Sequence, residues 1–206
     1  KKNKELFFRN DKESENIVLM EIFDHPSSQI SYSYFSNILC KLNNAKIVSI
    51  FPRKVSFKNY IYNYFSPFSP YSIQKSYGST KIVNPKYDKE ISLKILKKIK
   101  TKNDVLKISI NKIHVGDLIY DEYLATYKKS TLDLESGHFK NYLKDCLRLF
   151  YFWYEYINDN KVRALILSHS VYLVGLPGRI ANSFNIPVYN VMATSAYCLD
   201  KKNSLM

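Results

Sequence analysis

The segment Val162–Val191, VRALILSHSVYLVGLPGRIANSFNIPVYNV, constrains the fold more than any other part of the chain. An apolar run, a polar turn, a short helical stretch and a second apolar run introduced by Ile186-Pro187-Val188 spell one βαβ unit. Continuous rather than alternating apolar runs belong to strands covered on both faces, as in a parallel sheet. Such sheets gather ligands outside the carboxyl ends of their strands, where the strand order reverses. Ser168, His169 and Ser170 fall at such an end.

The N-terminal part repeats the pattern. Asn16–Phe23 (NIVLMEIF) reads as a first strand, and Asp24-His25-Pro26-Ser27-Ser28 as the turn after it. Ser27 or Ser28 can cap a helix from about Gln29 to Leu42, whose apolar positions Ile30, Tyr34, Ile38 and Leu42 recur every four residues. Lys46–Phe51 is a second strand. Between Pro52 and Pro85, the steps Ser66-Pro67 and Ser69-Pro70 predict short aromatic helices joined by turns. Tyr87–Lys100 has a helical stripe of Ile91, Ile95 and Ile99, and Val105–Ile110 reads as a short strand. His114–Tyr127 follows a polar turn, and His138–Asn158 is the clearest helix, with Phe139, Tyr142, Leu143, Cys146, Leu149, Phe150, Trp153 and Ile157 at three-four spacing. The expected fold class is α/β: a Rossmann-like parallel sheet with helices on both faces.

At 206 residues the chain is the size of one such domain. It opens on Lys1 and stops soon after a strand, so residues 1–206 are expected to form one Rossmann-like domain of a longer protein. The three cysteines, Cys40, Cys146 and Cys198, show no metal-binding spacing, so reduced thiols and no bound metal are expected. No apolar run approaches the roughly 18 residues of a spanning helix, and no signal peptide is recognisable, so a cytoplasmic location is expected.

Lys and Arg number 31 against 18 Asp and Glu. The excess is concentrated: from His25 to Tyr87 there is no acid at all, while lysines alternate with Tyr and Phe. Basic residues mixed with aromatic rings suit an anionic membrane surface. They also suit a single-stranded nucleic acid, but no nucleic-acid-binding signature supports that rival from a different functional class. Nucleic acid is therefore not expected as a partner.

Three constellations can carry chemistry. In the first, His25 and Ser27 open a helix whose free N–H groups favour an anion, and His25 can act as a general base toward a hydroxyl. The second is HVGDLIYDEYL (His114–Leu124): Gly116 permits a close backbone approach, Asp117, Tyr120 and Asp121 share one helix face, and Tyr123 lies beside it. A carboxylate pair with tyrosines suits a hydroxyl-rich ligand. The third joins Ser168 and His169 to Arg179, whose guanidinium can grip a phosphate or carboxylate. Neither a GxGxxG fingerprint nor a Walker-type loop is present.

GDLIYDEYL, then a long aromatic helix, then strand, Ser-His, helix and Ile-Pro-Val, resembles the N-terminal half of bacterial surface-polysaccharide biosynthesis proteins. These are glycosyltransferase-like proteins of the GT-B architecture, in which two Rossmann-like domains face each other across a cleft. The resemblance runs from Ile17 to Val191 and is strongest over Val115–Leu124. It implies acceptor-side roles for His25, Asp117, Tyr120, Asp121 and His169. Together with the residue chemistry above, His25, Asp117 and Asp121 are the expected catalytic residues, and Ser27, Gly116, Tyr120, Tyr123, Ser168, His169 and Arg179 the expected substrate contacts. It also implies a carbohydrate or lipid-linked acceptor. No cofactor is expected on this half, the nucleotide-sugar donor being held by a C-terminal domain outside the chain. A sugar-nucleotide 2-epimerase of the same architecture is the enzymatic alternative.

Overall fold

The computed structural model describes residues 14–90, 95–192 and 195–199. Their strands are β1 (Ile17–Glu21), β2 (Lys46–Ile50), β3 (Ser79–Val83), β4 (Ser109–Ile110), β5 (Ile113–His114), β6 (Val162–Leu167), β7 (Val188–Val191) and β8 (Ala196–Leu199). The helices are α1 (Pro26–Asn43), α2 (Phe57–Phe65), α3 (Pro70–Ser76), α4 (Lys102–Leu106), α5 (Gly116–Tyr127), α6 (Gly137–Asp159) and α7 (Leu176–Ser183).

Six strands form one sheet in the order β3-β2-β1-β6-β7-β8, parallel except for the antiparallel edge strand β8. This is the Rossmann-like α/β sheet the sequence predicts. The order runs outward from β1 through β2 to β3, then resumes on the other side of β1 with β6, so the reversal lies between β1 and β6.

Every residue of β1 is buried, as a central strand covered on both faces requires. On one face Leu19, Val48, Leu165 and Val188 pack under α5, α6 and α7, against Leu143, Leu149, Trp153 and Ile180. On the other, Val18, Met20, Ile47 and Ile166 meet Tyr32, Leu39 and Cys40 of α1. Helix α6 begins where Ser136 accepts a hydrogen bond from the Phe139 N–H (3.1 Å). Of the positions expected to be buried it buries Phe139, Leu143, Cys146, Leu149, Phe150, Trp153 and Ile157, while Tyr142 is half-buried. The Trp153 indole donates to the Pro52 carbonyl at 2.8 Å and so ties α6 to the end of β2.

Several local expectations are corrected. Helix α1 starts at Pro26 with His25 as N-cap, because proline has no N–H to lose in a first turn and its φ is preset. Ser27 and Ser28 therefore lie inside the helix. The stripe Ile30, Tyr34, Ile38 and Leu42 faces solvent, while Gln29, Ser33, Ser36 and Asn37 are buried. Those polar side chains are satisfied locally: Ser33 donates to the Gln29 carbonyl (2.7 Å), and Asn37 to the Ser33 (2.7 Å) and Tyr77 (2.9 Å) carbonyls. Most of Val105–Ile110 is not strand. Thr101 and Asp104 close a capping box that starts α4, leaving Ser109–Ile110 to pair with Ile113–His114. Their two-residue turn, Asn111-Lys112, has both φ angles positive, as a type I′ hairpin demands. Tyr87–Glu90 is not helical, and Leu96–Lys98 forms one 3₁₀ turn; residues 91–94 of that expected helix lie outside the described residues. Between Leu173 and Gly175 the chain makes a 3₁₀ turn that leads into α7.

Candidate functional site

The two strands that flank the reversal both end in polar groups. Glu21, the last residue of β1, is 4% exposed, yet its carboxylate is fully engaged. The Ser168 backbone N–H donates to Oε2 at 2.5 Å, and the Ser168 hydroxyl to Oε1 at 3.0 Å. Burial pushes the carboxyl up from 4.5 to about 7, against the two Ser168 hydrogen bonds and the positive charge of Arg53. The neighbouring Tyr32 hydroxyl is pushed up as well, by burial first and then by the Glu21 charge. A carboxyl poised near neutrality at the end of a central strand is a feature of sites more than of scaffolds.

From Ser168 the contacts lead outward. His169 Nδ1 lies 2.8 Å from the Ser168 Oγ, and its ring is exposed. When Glu21 is ionised, Ser168 donates to it and can accept from Nδ1–H. When Glu21 is protonated, its O–H can donate to Ser168, whose own proton turns to Nδ1. A buried carboxyl is thus connected through one hydroxyl to an exposed imidazole. The His169 ring meets Phe23 edge-on (5.9 Å), Phe23 lies beside His25 (6.4 Å), and His25 Nδ1 pairs with the Ser27 hydroxyl (2.9 Å). The Gln74 amide holds the Glu21 carbonyl (2.6 Å), and the Gln29 amide holds that of Phe23. The structure therefore brings together His25, Ser27, Ser168 and His169, from two separate βα turns.

A second buried carboxylate serves the same edge. Glu122, on α5, accepts from Arg53, from the Thr126 hydroxyl (2.8 Å) and from the Leu173 N–H (3.3 Å). Arg53 follows β2 and is half exposed; it pairs with Glu122 while its charge reaches Glu21. The Leu173 N–H is aimed by Tyr172, which has φ 55° and ψ −173°, a region otherwise left to glycine. Strain of that kind is held where the surroundings demand it. A cavity of about 300 Å³ opens here, with Arg53, Glu122, Thr126, Tyr87, Tyr142 and Leu173 in its wall.

The remaining residues of the GDLIYDEYL segment lie elsewhere. Arg179 grips Asp117 with both nitrogens (2.5 and 2.8 Å) and also donates to the His114 carbonyl (3.0 Å). Burial acts to raise the Asp117 carboxyl, but the Arg179 pair, the Leu118 N–H and His114 together bring it below its ordinary range. Arg179 and Asp117 thus satisfy one another and tie α5 to α7. Gly116 faces protein backbone: a Cβ there would stand 2.2 Å from the Val105 carbonyl oxygen. Tyr123 is enclosed by Tyr127, Phe139 and Tyr142, with ring centres 4.8–5.3 Å apart. Tyr120 packs against the core, and Asp121 is exposed.

Glu21, Glu122 and Arg53 did not stand out in the sequence. The available signal was an acid inside an apolar pattern: Glu21 within IVLMEIF, and Glu122 three and four residues after Ile119 and Leu118. Among the described residues no group of three His, Cys, Asp or Glu side chains could hold a metal ion. Comparison with known protein families, curated proteins and solved structures returns no match.

Proposed function

We propose that this chain is the acceptor-binding Rossmann-like domain of a glycosyltransferase of cell-surface polysaccharide synthesis, and that a sugar hydroxyl is received at His169. The observation that carries the reading is the chain Glu21–Ser168–His169 at the strand reversal. A sugar hydroxyl becomes a competent nucleophile when a positioned base takes its proton as the new bond forms. His169 Nε2 takes that proton. The Nδ1 proton is then shared with the Ser168 oxygen, and the Ser168 proton with the Glu21 carboxylate, so the new positive charge is balanced from a buried site. Phe23 offers an apolar surface for the C–H face of a sugar ring. Arg53 and Glu122, at the adjoining cavity, supply a donor and an acceptor for further hydroxyls. In this reading the nucleotide-sugar donor is held by a second domain.

The test is a titration of the ¹⁵N-labelled chain with a panel of hexoses, disaccharides and sugar nucleotides, following the imidazole signals and assigning His169 through His169→Gln. Perturbation of His169 by neutral sugars, abolished in Ser168→Ala, supports the reading. A panel that leaves His169 and His25 unchanged would refute it.

A further inference from the structure

Helix α2 is unusual in burying only Asn63 along its length. Around it, Phe57 is 78% exposed, Phe65 71% and, in the turn that follows, Phe68 88%. A globular surface rarely displays three phenylalanines so fully and so close together in sequence. They are not on a loose segment. Ser56 caps α2 through the Asn59 N–H (3.2 Å). Ser69 donates to the Asn63 (2.8 Å) and Ser66 (2.9 Å) carbonyls, and Ser72 to the Pro67 carbonyl (2.5 Å). The turn Ser66-Pro67-Phe68-Ser69 therefore presents Phe68 to solvent from a fixed frame.

The patch continues across α3 to α1. Phe65 touches Tyr64 (5.0 Å), Lys75 stands 6.0 Å over the Tyr64 ring, and Tyr77, just after α3, meets Tyr34 of α1 (5.7 Å). From Tyr34 the exposed stripe runs through Ile38 to Leu42. Its charge is one-sided. From His25 to Tyr87 the chain has no Asp or Glu, and Lys41, Lys58 and Lys75 are exposed on these three helices. Apolar rings to enter hydrocarbon, tyrosines at the level of the headgroups and lysines for anionic phosphates form the pattern of a surface that lies on a bilayer. Charge complementarity thus names the occupant.

We propose that the α1–α3–α2 face docks onto an anionic lipid bilayer, with Phe57, Phe65 and Phe68 entering it. Bilayer docking and sugar binding use different faces and residues, and either can fail alone. Docking is a surface attachment: none of the described helices is long and apolar enough to cross a membrane.

The experiment is flotation of the whole chain with vesicles of phosphatidylcholine alone or mixed with phosphatidylglycerol. Binding to the mixed vesicles is expected, with little to neutral ones. Lys58→Ala with Lys75→Ala should weaken it roughly 30-fold, about fivefold for each basic group removed. Phe65→Ser with Phe68→Ser should abolish binding at physiological salt while leaving the far-ultraviolet dichroism unchanged, since both rings are exposed. Three results would overturn the proposal. One is no binding to phosphatidylglycerol vesicles at low salt, and another is serine variants that bind like the parent. The third is a phenylalanine dependence seen with poly(U) RNA, or with self-association in sedimentation, but not with vesicles.

Discussion

Replacing Glu21 by glutamine isolates the energetic signature of the buried carboxyl. In the unfolded chain this group loses its proton near 4.5, but in the folded protein it does so only near 7. Below the first value both states are protonated and the group has no differential effect. As pH rises from about 4.5 to about 7, the unfolded chain ionises while the native state retains its proton, so stability falls. Above about 7 the loss is complete and constant. At ~1.4 kcal/mol for each tenfold in proton affinity, the gap amounts to about 3 kcal/mol. The substituted amide would copy the neutral form: its carbonyl accepts from the Ser168 N–H and its NH₂ donates to the Ser168 hydroxyl. Glu21→Gln is therefore expected to match the parent at pH 4.5 and to exceed it by about 3 kcal/mol at pH 8, or roughly 6–12 °C in Tm for a chain of this size. Urea denaturation of both proteins across that range is the assay. Parallel curves, or a variant less stable at pH 8, would mean that Glu21 is ionised throughout and would refute the reasoning.

Other substitutions probe the surrounding frame. Arg53→Met strips the cation from Glu122, leaving a buried carboxylate with only Thr126 and Leu173 as partners; it should cost about 1–3 kcal/mol by denaturation and raise the Glu21 midpoint further. Gly116→Ala drives a methyl group into the Val105 and Leu106 carbonyl oxygens, 2.2 and 2.3 Å from its place, and should cost about 3 kcal/mol. Tyr172→Gly relieves a backbone conformation worth roughly 1–3 kcal/mol of strain and gives back part of that in chain entropy, for a net gain of about 1 kcal/mol. A loss of stability there would show that the Tyr172 ring, not its backbone, holds the loop.

The parallel sheet was legible because its central strands are apolar on both faces, so Ile17–Glu21 and Val162–Leu167 stand out as continuous runs. Edge strands carry no such mark. Ser79–Val83 exposes Thr80 and Lys81, and Ala196–Leu199 is mostly exposed, so neither reads as strand. The segment Val105–Ile110 misleads because its β-favouring residues compete with a capping box whose two partners, Thr101 and Asp104, lie upstream. In α1 the four-residue apolar spacing points outward, because the inner face mixes Tyr32, Leu39 and Cys40 with Gln29, Ser33, Ser36 and Asn37, and hydrogen bonds satisfy the polar ones. For the site, topology located Ser168 and His169, and the polar turn after β1 located His25 and Ser27. The buried carboxylates were hidden for a different reason. An acid in an apolar run signals burial, but its partner, Ser168 for Glu21 and Arg53 for Glu122, is more than sixty residues away along the chain.

The most direct measurement of the central claim is a ¹³C titration of the Glu21 carboxyl in the parent protein and in Ser168→Ala. The Glu21–Ser168 pair predicts a carboxyl midpoint near 7 that rises further in Ser168→Ala, which removes a hydrogen bond to the ionised form. A midpoint near the ordinary 4.5, or one unmoved by Ser168→Ala, would contradict it.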